Sequence, residues 1–201
     1  MKKIIIATSN KNKIKEMKDF LSSFFDEVLS LDDVKLNIDA IEDGSSFLEN
    51  SLIKGKDISL KTDIPVLSDD SGLSINCLDG FPGIYSARFM EDKSYKDKCI
   101  AILDMMKAKK DRTAFFSCAL TFIDKNRNIQ KQFLAKAEGE IAKEYYEYEY
   151  GFGYDPIFFS YEANAIFASI NPDEKFKYSH RGKANRMLID FLKEYYKWKW
   201  Y

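Results

Sequence analysis

The residues best equipped for chemistry sit in a few short stretches. Asp69 and Asp70 lie inside Ser68-Asp69-Asp70-Ser71-Gly72, and Glu42 opens Glu42-Asp43-Gly44; both are acidic clusters among turn formers. In a regular strand adjacent side chains point to opposite faces, so Asp69 and Asp70 can serve one site only if the backbone turns there, which Ser71-Gly72 makes easy. If the Glu42 turn folds beside them, the three carboxylates form an oxygen-rich pocket able to hold Mg²⁺ and leave positions for water and phosphate oxygens. The other reading is two unrelated solvated turns.

Lys11 and Lys13 follow Thr8-Ser9-Asn10, residues that cap helices, and so fall where unsatisfied N–H groups and the helix dipole favour an anion. They suit a phosphate site, or equally an exposed helical face. The chain has neither Gly-x-x-x-x-Gly-Lys-Ser/Thr nor Gly-x-Gly-x-x-Gly, so any phosphate is held by another design. His180 is the only histidine. With Ser179 placed to cap the last helix, His180 and Arg181 become donors near its N-terminus. Phe152 and Tyr154, beside Gly151 and Gly153, offer a nucleobase a stacking face, or else belong to the core.

The elements that must position these groups follow from periodicity. Ile4 to Ala7 reads as a β-branched strand, and Ile14, Met17, Leu21 and Phe24 make the stripe of a helix of about fifteen residues from Lys11. A second helix spans about Ser46 to Lys61, with Asn50 and Lys54 on one face. Pro65-Val66-Leu67 and Leu73-Ser74-Ile75 read as two short strands separated by the Ser68 to Gly72 turn. A helix carrying Ile100, Leu103 and Met106 comes next. Thr113 to Ile123 and Ile129 to Ala137 form a long hairpin across Asp124 to Arg127, and the last helix has the stripe Met187, Leu188, Phe191 and Leu192. The order βα then mixed strands and helices indicates an α/β fold. Residues 1–201 are expected to form one domain without a separable linker.

Composition agrees with an ordinary globular chain. Its 201 residues, 45% hydrophobic, are enough to remove roughly 70% of the unfolded surface from water without staples. With Lys+Arg 31 against Asp+Glu 32, no global basic field holds a nucleic-acid backbone. Cys77, Cys99 and Cys118 form no Cys-x-x-Cys pair and point to reduced thiols, and one histidine makes a Cys/His zinc site improbable. The Ile4 to Ala7 stretch is too short for a signal-peptide core and no segment reaches the ~20 apolar residues of a membrane span, so a cytoplasmic location is expected. The tail Tyr195 to Tyr201, aromatics interleaved with Lys197 and Lys199, reads as a packed or partner-facing terminus rather than a nucleic-acid contact.

Several stretches in order resemble the inosine triphosphate pyrophosphatase family: Thr8-Ser9-Asn10-Lys11-Asn12-Lys13, Phe47 to Asn50 with Lys54, Ser68 to Leu73, Pro82 to Arg88, Gly151 to Pro156, and Ser179 to Gly182. The resemblance covers almost the whole chain. It implies an elongated α/β protein with a long mixed sheet, two lobes around a substrate cleft, and a homodimer. It also implies Mg²⁺-dependent cleavage of ITP, dITP and XTP between the α- and β-phosphates, which cleanses the nucleotide pool. On this resemblance Asp70 is the proton acceptor for the attacking water, Glu42, Asp69 and Asp70 the metal site, and Lys13, Lys54 and Lys175 the cations around the triphosphate. Phe152, Asp155, His180 and Arg181 are implied at the base, with Gly153 and Tyr154 of the same loop, Ser71, and the loop of Thr8, Ser9, Asn10, Lys11, Asn12 and Lys13 lining the substrate. Ser9 stands where many members carry Gly, and Tyr145 to Tyr150 is unusually aromatic and acidic.

Two other readings remain at this stage. The related septum-inhibitor-like nucleotide pyrophosphatases, which accept pyrimidine or modified triphosphates, share the architecture; Ser179-His180-Arg181 speaks against them. A non-enzymatic nucleotide-sensing or RNA-binding module has only the aromatic tail in its favour.

Overall fold

The computed structural model describes residues 2–196, with side chains given through Glu194. The aromatic tail beyond these residues is therefore outside the description.

The first strand, β1 (Lys3–Ala7), is buried along Ile4 to Ala7 as its β-branched run requires. Helix α1 (Lys11–Leu21) starts on Asn10, whose Oδ1 accepts the N–H groups of Asn12 at 3.1 Å and Lys13 at 3.3 Å. It has 11 residues rather than about fifteen. Ser22 ends it by donating its N–H and its hydroxyl to the Lys18 carbonyl, at 2.9 and 2.6 Å. A hydroxyl that bonds back in this way competes with the helical ladder. Phe24 thus lies past the helix end, with its ring 5.3 Å from that of Phe20.

Strand β2 (Glu27–Ser30), which the sequence pattern did not suggest, lies parallel to β1. Helix α2 (Phe47–Ser59) is capped by Ser46, whose hydroxyl accepts the Glu49 N–H. Strand β3 (Val66–Ile75) corrects the expected pair of short strands: it runs unbroken through Ser68-Asp69-Asp70-Ser71-Gly72 and pairs in parallel with β1. Turn-forming composition loses to burial at this point, because Ser68 and Asp69 are fully enclosed and their polar groups are met by hydroxyls, carbonyls and lysines.

Helix α3 (Tyr95–Met105) opens on a capping box between Ser94 and Asp97. Its inward residues are Cys99 and Ile102, while Ile100 of the expected stripe is 43% exposed. Strands β4 (Thr113–Asp124) and β5 (Ile129–Ile141) form where expected, β5 running four residues beyond Ala137. Strands β6 (Phe158–Ser160) and β7 (Ala165–Ile166) and helices α4 (Pro172–Tyr178) and α5 (His180–Tyr196) complete the chain. On α5 the buried apolar face is Ala184, Leu188, Ile189 and Leu192, and Met187 faces outward.

Among the described residues one mixed sheet has the order β2-β1-β3-β4-β5-β6-β7, with β5, β6 and β7 antiparallel in sequence. This is the α/β class the sequence indicates. The chain divides into two compact units. The first comprises residues 1–70, 118–134 and 184–201, and its core includes Ile5, Ala7, Leu31, Ile58 and Val66. The second comprises residues 71–117 and 135–183, with a core of Leu73, Ile75, Ile102, Phe116, Tyr154, Phe158 and Phe167 among others. No described helix is long and apolar enough to cross a membrane.

Candidate active site

In the first unit, α1, α2 and β3 bring lysines and carboxylates together. Lys13 Nζ lies 2.8 Å from Oδ2 of the fully buried Asp69. Lys54 Nζ lies 3.0 Å from Glu42 Oε2 and 3.7 Å from Asp70 Oδ1. Adjacent strand positions thus each meet a lysine from a different helix.

A lysine this buried needs its helix fixed in register. Gly55 permits that: a Cβ there would stand 2.7 Å from Ser68 Oγ. Ser68 Oγ donates to the Ser51 carbonyl at 2.6 Å, Ser51 and Thr121 hydroxyls pair at 2.7 Å, and Gln132 Nε2 donates to the Leu48 carbonyl at 2.8 Å. These buried polar bonds lock α2 onto β3 and β4, and so fix the height of Lys54 against Asp70.

The charges act on one another. Burial pushes the Asp70 carboxyl above its ordinary value, Lys54 and Lys13 pull it back, and Asp69 and Glu42 add to the rise. Burial alone would lower Lys54, but Asp70, Asp69 and Glu42 outweigh it and hold its ammonium above the usual lysine value. Asp70 is therefore a carboxylate of raised basicity beside cations, a combination suited to taking a proton from water.

Among the described residues no three acidic, His or Cys side chains close around a common point where a metal ion would sit. The expected pocket of Glu42, Asp69 and Asp70 is thus not an all-protein cage; Lys13 and Lys54 stand among the carboxylates and offset a repulsion that bare anions would suffer. The donor set still fits Mg²⁺ arriving with a polyphosphate, since that ion keeps several waters and takes only one or two carboxylates besides phosphate oxygens.

The loop before α1, expected to line the substrate, is uneven in burial. Thr8 is buried, with Oγ1 accepting the Asn10 N–H at 3.3 Å, whereas Ser9, Lys11 and Asn12 are exposed. Thr8 and Ser9 also border a cavity of about 220 Å³ with Ile14, Leu31, Asp32 and Asn37. Asp32 and Asn37 carry no spacing signal that would have marked them in the sequence.

The second unit holds the other candidates. Lys175, on α4, places Nζ 2.8 Å from Asp155 Oδ2, and both are buried. The same Asp155 oxygen accepts the Phe152 N–H at 3.1 Å. Lys175, expected among the cations around the triphosphate, has Asp155 as an ion-pair partner within this unit. Phe152 is half-buried, and Tyr154 is core, its hydroxyl donating to the Ser86 carbonyl at 2.8 Å. Burial pushes the Tyr154 phenol well up, so it stays neutral. Gly153 adopts φ 63°, which lets the loop reverse between the two rings.

His180, buried, opens α5 with its ring stacked on Phe116 at 4.8 Å and 9°. Arg181 donates from Nη2 to Ser71 Oγ at 3.2 Å. The expected Ser179 cap is present, its Oγ accepting the Gly182 N–H at 3.1 Å. Gly182 is obligatory, because a Cβ there would lie 1.7 Å from the Phe176 carbonyl oxygen.

These features define a mixed-sheet α/β protein with a lysine–carboxylate cluster on one strand and a second set of aromatic, histidine and arginine groups. The chain belongs to the Ham1 family, whose sequence profile matches residues 4–191. It is 43% identical over 199 residues to the dITP/XTP pyrophosphatase of Wigglesworthia glossinidia brevipalpis, covering 96% of this chain and 98% of that one. It is 40% identical over 197 residues to the protein of the same name from Dictyoglomus thermophilum, covering 96% of each. Among solved structures, the Staphylococcus aureus Ham1 protein superposes with a TM-score of 0.86 at 35% identity, covering 96% of this chain and 99% of that one. A HAM1 protein from Coxiella burnetii gives 0.85 at 32% identity, covering 96% and 100%.

Proposed function

We propose that this chain is a nucleoside-triphosphate pyrophosphatase that hydrolyses dITP, ITP and XTP to the monophosphate and pyrophosphate. The observation that carries the reading is Asp70, a buried carboxylate of raised basicity in reach of Lys54, on a chain whose relatives are named for dITP and XTP. Asp70 takes the proton of the attacking water, worth roughly 10²–10⁴ in rate. Lys13 and Lys54, with the N-terminus of α1, bear the charge that grows on the leaving pyrophosphate. One or two of Glu42, Asp69 and Asp70 would hold Mg²⁺, which when bound would supply Lewis-acid neutralisation of phosphate oxygens.

Phe152, Asp155, Lys175, His180, Arg181 and Ser71 serve the nucleoside end. Hypoxanthine and xanthine carry oxygen at C6 where adenine carries an amine, so a donor from Arg181 or a backbone N–H rejects adenine by facing donor to donor. Asp155 and His180 decide the exclusion of guanine at C2. The full chain works as one domain, as a cytoplasmic homodimer.

The test is pyrophosphate release with Mg²⁺ from ITP, XTP, GTP, ATP and dTTP, wild type beside Asp70→Asn. Release confined to ITP and XTP and lost in the variant supports the reading. Preference for dTTP replaces it with a pyrimidine-directed activity, and absence of turnover removes it.

A further inference from the structure

The turn that carries Glu42 is fastened to helix α2 by a side chain to which the reaction assigns no role. Asn50 is fully buried in the first turns of α2. Its Oδ1 accepts the Gly44 N–H at 2.9 Å. Beside it, Glu49 accepts both the N–H and the hydroxyl of Ser45, at 2.6 and 2.7 Å. The fit is close: a Cβ on Gly44 would stand 2.7 Å from both Asn50 Oδ1 and Glu49 Cβ.

Four residues further along the same helix, Lys54 meets the carboxylate of Glu42 at 3.0 Å. One helix therefore grips the turn at three residues: at Ser45 through exposed contacts, and from buried side chains at the Gly44 backbone and at the acid of Glu42. These grips sit on an element locked to the sheet by Ser51, Ser68 and Thr121. Without the Asn50 bond the turn would be left with the exposed Ser45–Glu49 contacts and the partly exposed Glu42–Lys54 ion pair, which by itself contributes little. Asn50 Nδ2, in contrast, has no hydrogen-bond partner among the described residues.

We propose that Asn50 is a positioning residue that latches the Glu42 turn onto α2 and thereby sets how readily Glu42 serves a divalent cation. The inference rests on the pyrophosphatase reading for its activity arm only. Asn50→Leu removes the acceptor. In this variant the Mg²⁺ concentration for half-maximal pyrophosphate release rises by about 10- to 100-fold, as for other residues that orient metal ligands, while kcat at saturating Mg²⁺ changes far less. Asn50→Asp keeps an acceptor oxygen for Gly44 and does not raise the requirement. Gly44→Ala, which forces the turn off the helix from the other side, reproduces the Asn50→Leu effect. In Glu42→Gln, adding Asn50→Leu costs little more, because the latch has nothing left to position.

Amide hydrogen exchange in residues 41–46 reads the latch without any turnover. It quickens in Asn50→Leu and Gly44→Ala and stays slow in Asn50→Asp. Unchanged exchange, or a Mg²⁺ requirement raised equally by Asn50→Asp, overturns the proposal. Slow exchange lost as expected in a protein that hydrolyses no triphosphate would instead leave the latch standing and remove the activity reading.

Discussion

Two of the buried lysines, Lys54 and Lys175, are met by carboxylates in different ways, and the difference separates a group held ready to react from one held still. Lys54 faces Glu42 and Asp70 and feels Asp69 as well, while burial, only partly offset by Lys54 and Lys13, drives Asp70 toward its neutral form. Lys175 has Asp155 at 2.8 Å, and that carboxylate is also held by the Phe152 N–H. The first arrangement keeps a buried acid of raised basicity within reach of cations. The second pairs its charges and ties a loop.

The largest effect that would test this contrast is on turnover. Asp70→Asn should lower pyrophosphate release by about 10²–10⁴-fold, measured at saturating nucleotide; retention of more than about a tenth of wild-type turnover would move the base elsewhere.

Next in size is stability in the second unit. Lys175→Met strands a buried Asp155 carboxylate and should cost about 3–5 kcal/mol in urea unfolding. A loss near zero would make the Lys175 pair no more structural than the Lys54 cluster.

A smaller shift of opposite sign belongs to the first unit. Because burial raises Asp70 above its ordinary 3.8, the native state favours the protonated acid, and that contribution to stability fades as pH rises through the raised value. Metal-free Asp70→Asn, never ionised, should therefore melt above wild type at neutral pH, with the gap closing as the pH approaches 3.8. A variant that melts lower at pH 7 would contradict the burial penalty on the Asp70 carboxylate.

The smallest effect serves as a baseline: Lys96→Ala removes an exposed pair with Glu147 at 3.5 Å and should leave Tm and activity unchanged within scatter.

Much of this was legible in residue order. The start of α2 near Ser46, Ser179 as the cap of α5 and the β4–β5 pair follow from local chemistry that tertiary contacts reinforce. Elsewhere context prevailed. Ser68 to Gly72 has turn composition but forms strand, because enclosure by α2 and the lysines satisfies polar groups that would otherwise seek water. Ile100 and Met187 fit an apolar period yet face outward, since the buried stripes run through Cys99 and Ile102, and through Leu188 and Ile189. The acidic site was legible as residues but not as geometry: a sequence shows three carboxylates, and only the fold shows the two lysines lodged among them.

The unbroken course of β3 limits how this chain can change over generations. Loops elsewhere can lengthen or shorten at small cost, but a single residue gained or lost between Leu67 and Leu73 would turn every following side chain to the opposite face. Asp69 would then take the place of Asp70, or the reverse, and Ser71 would leave Arg181. Variation in this stretch is thus confined to substitution, and the spacing of its polar residues is a frozen length against which the rest of the molecule is free to drift.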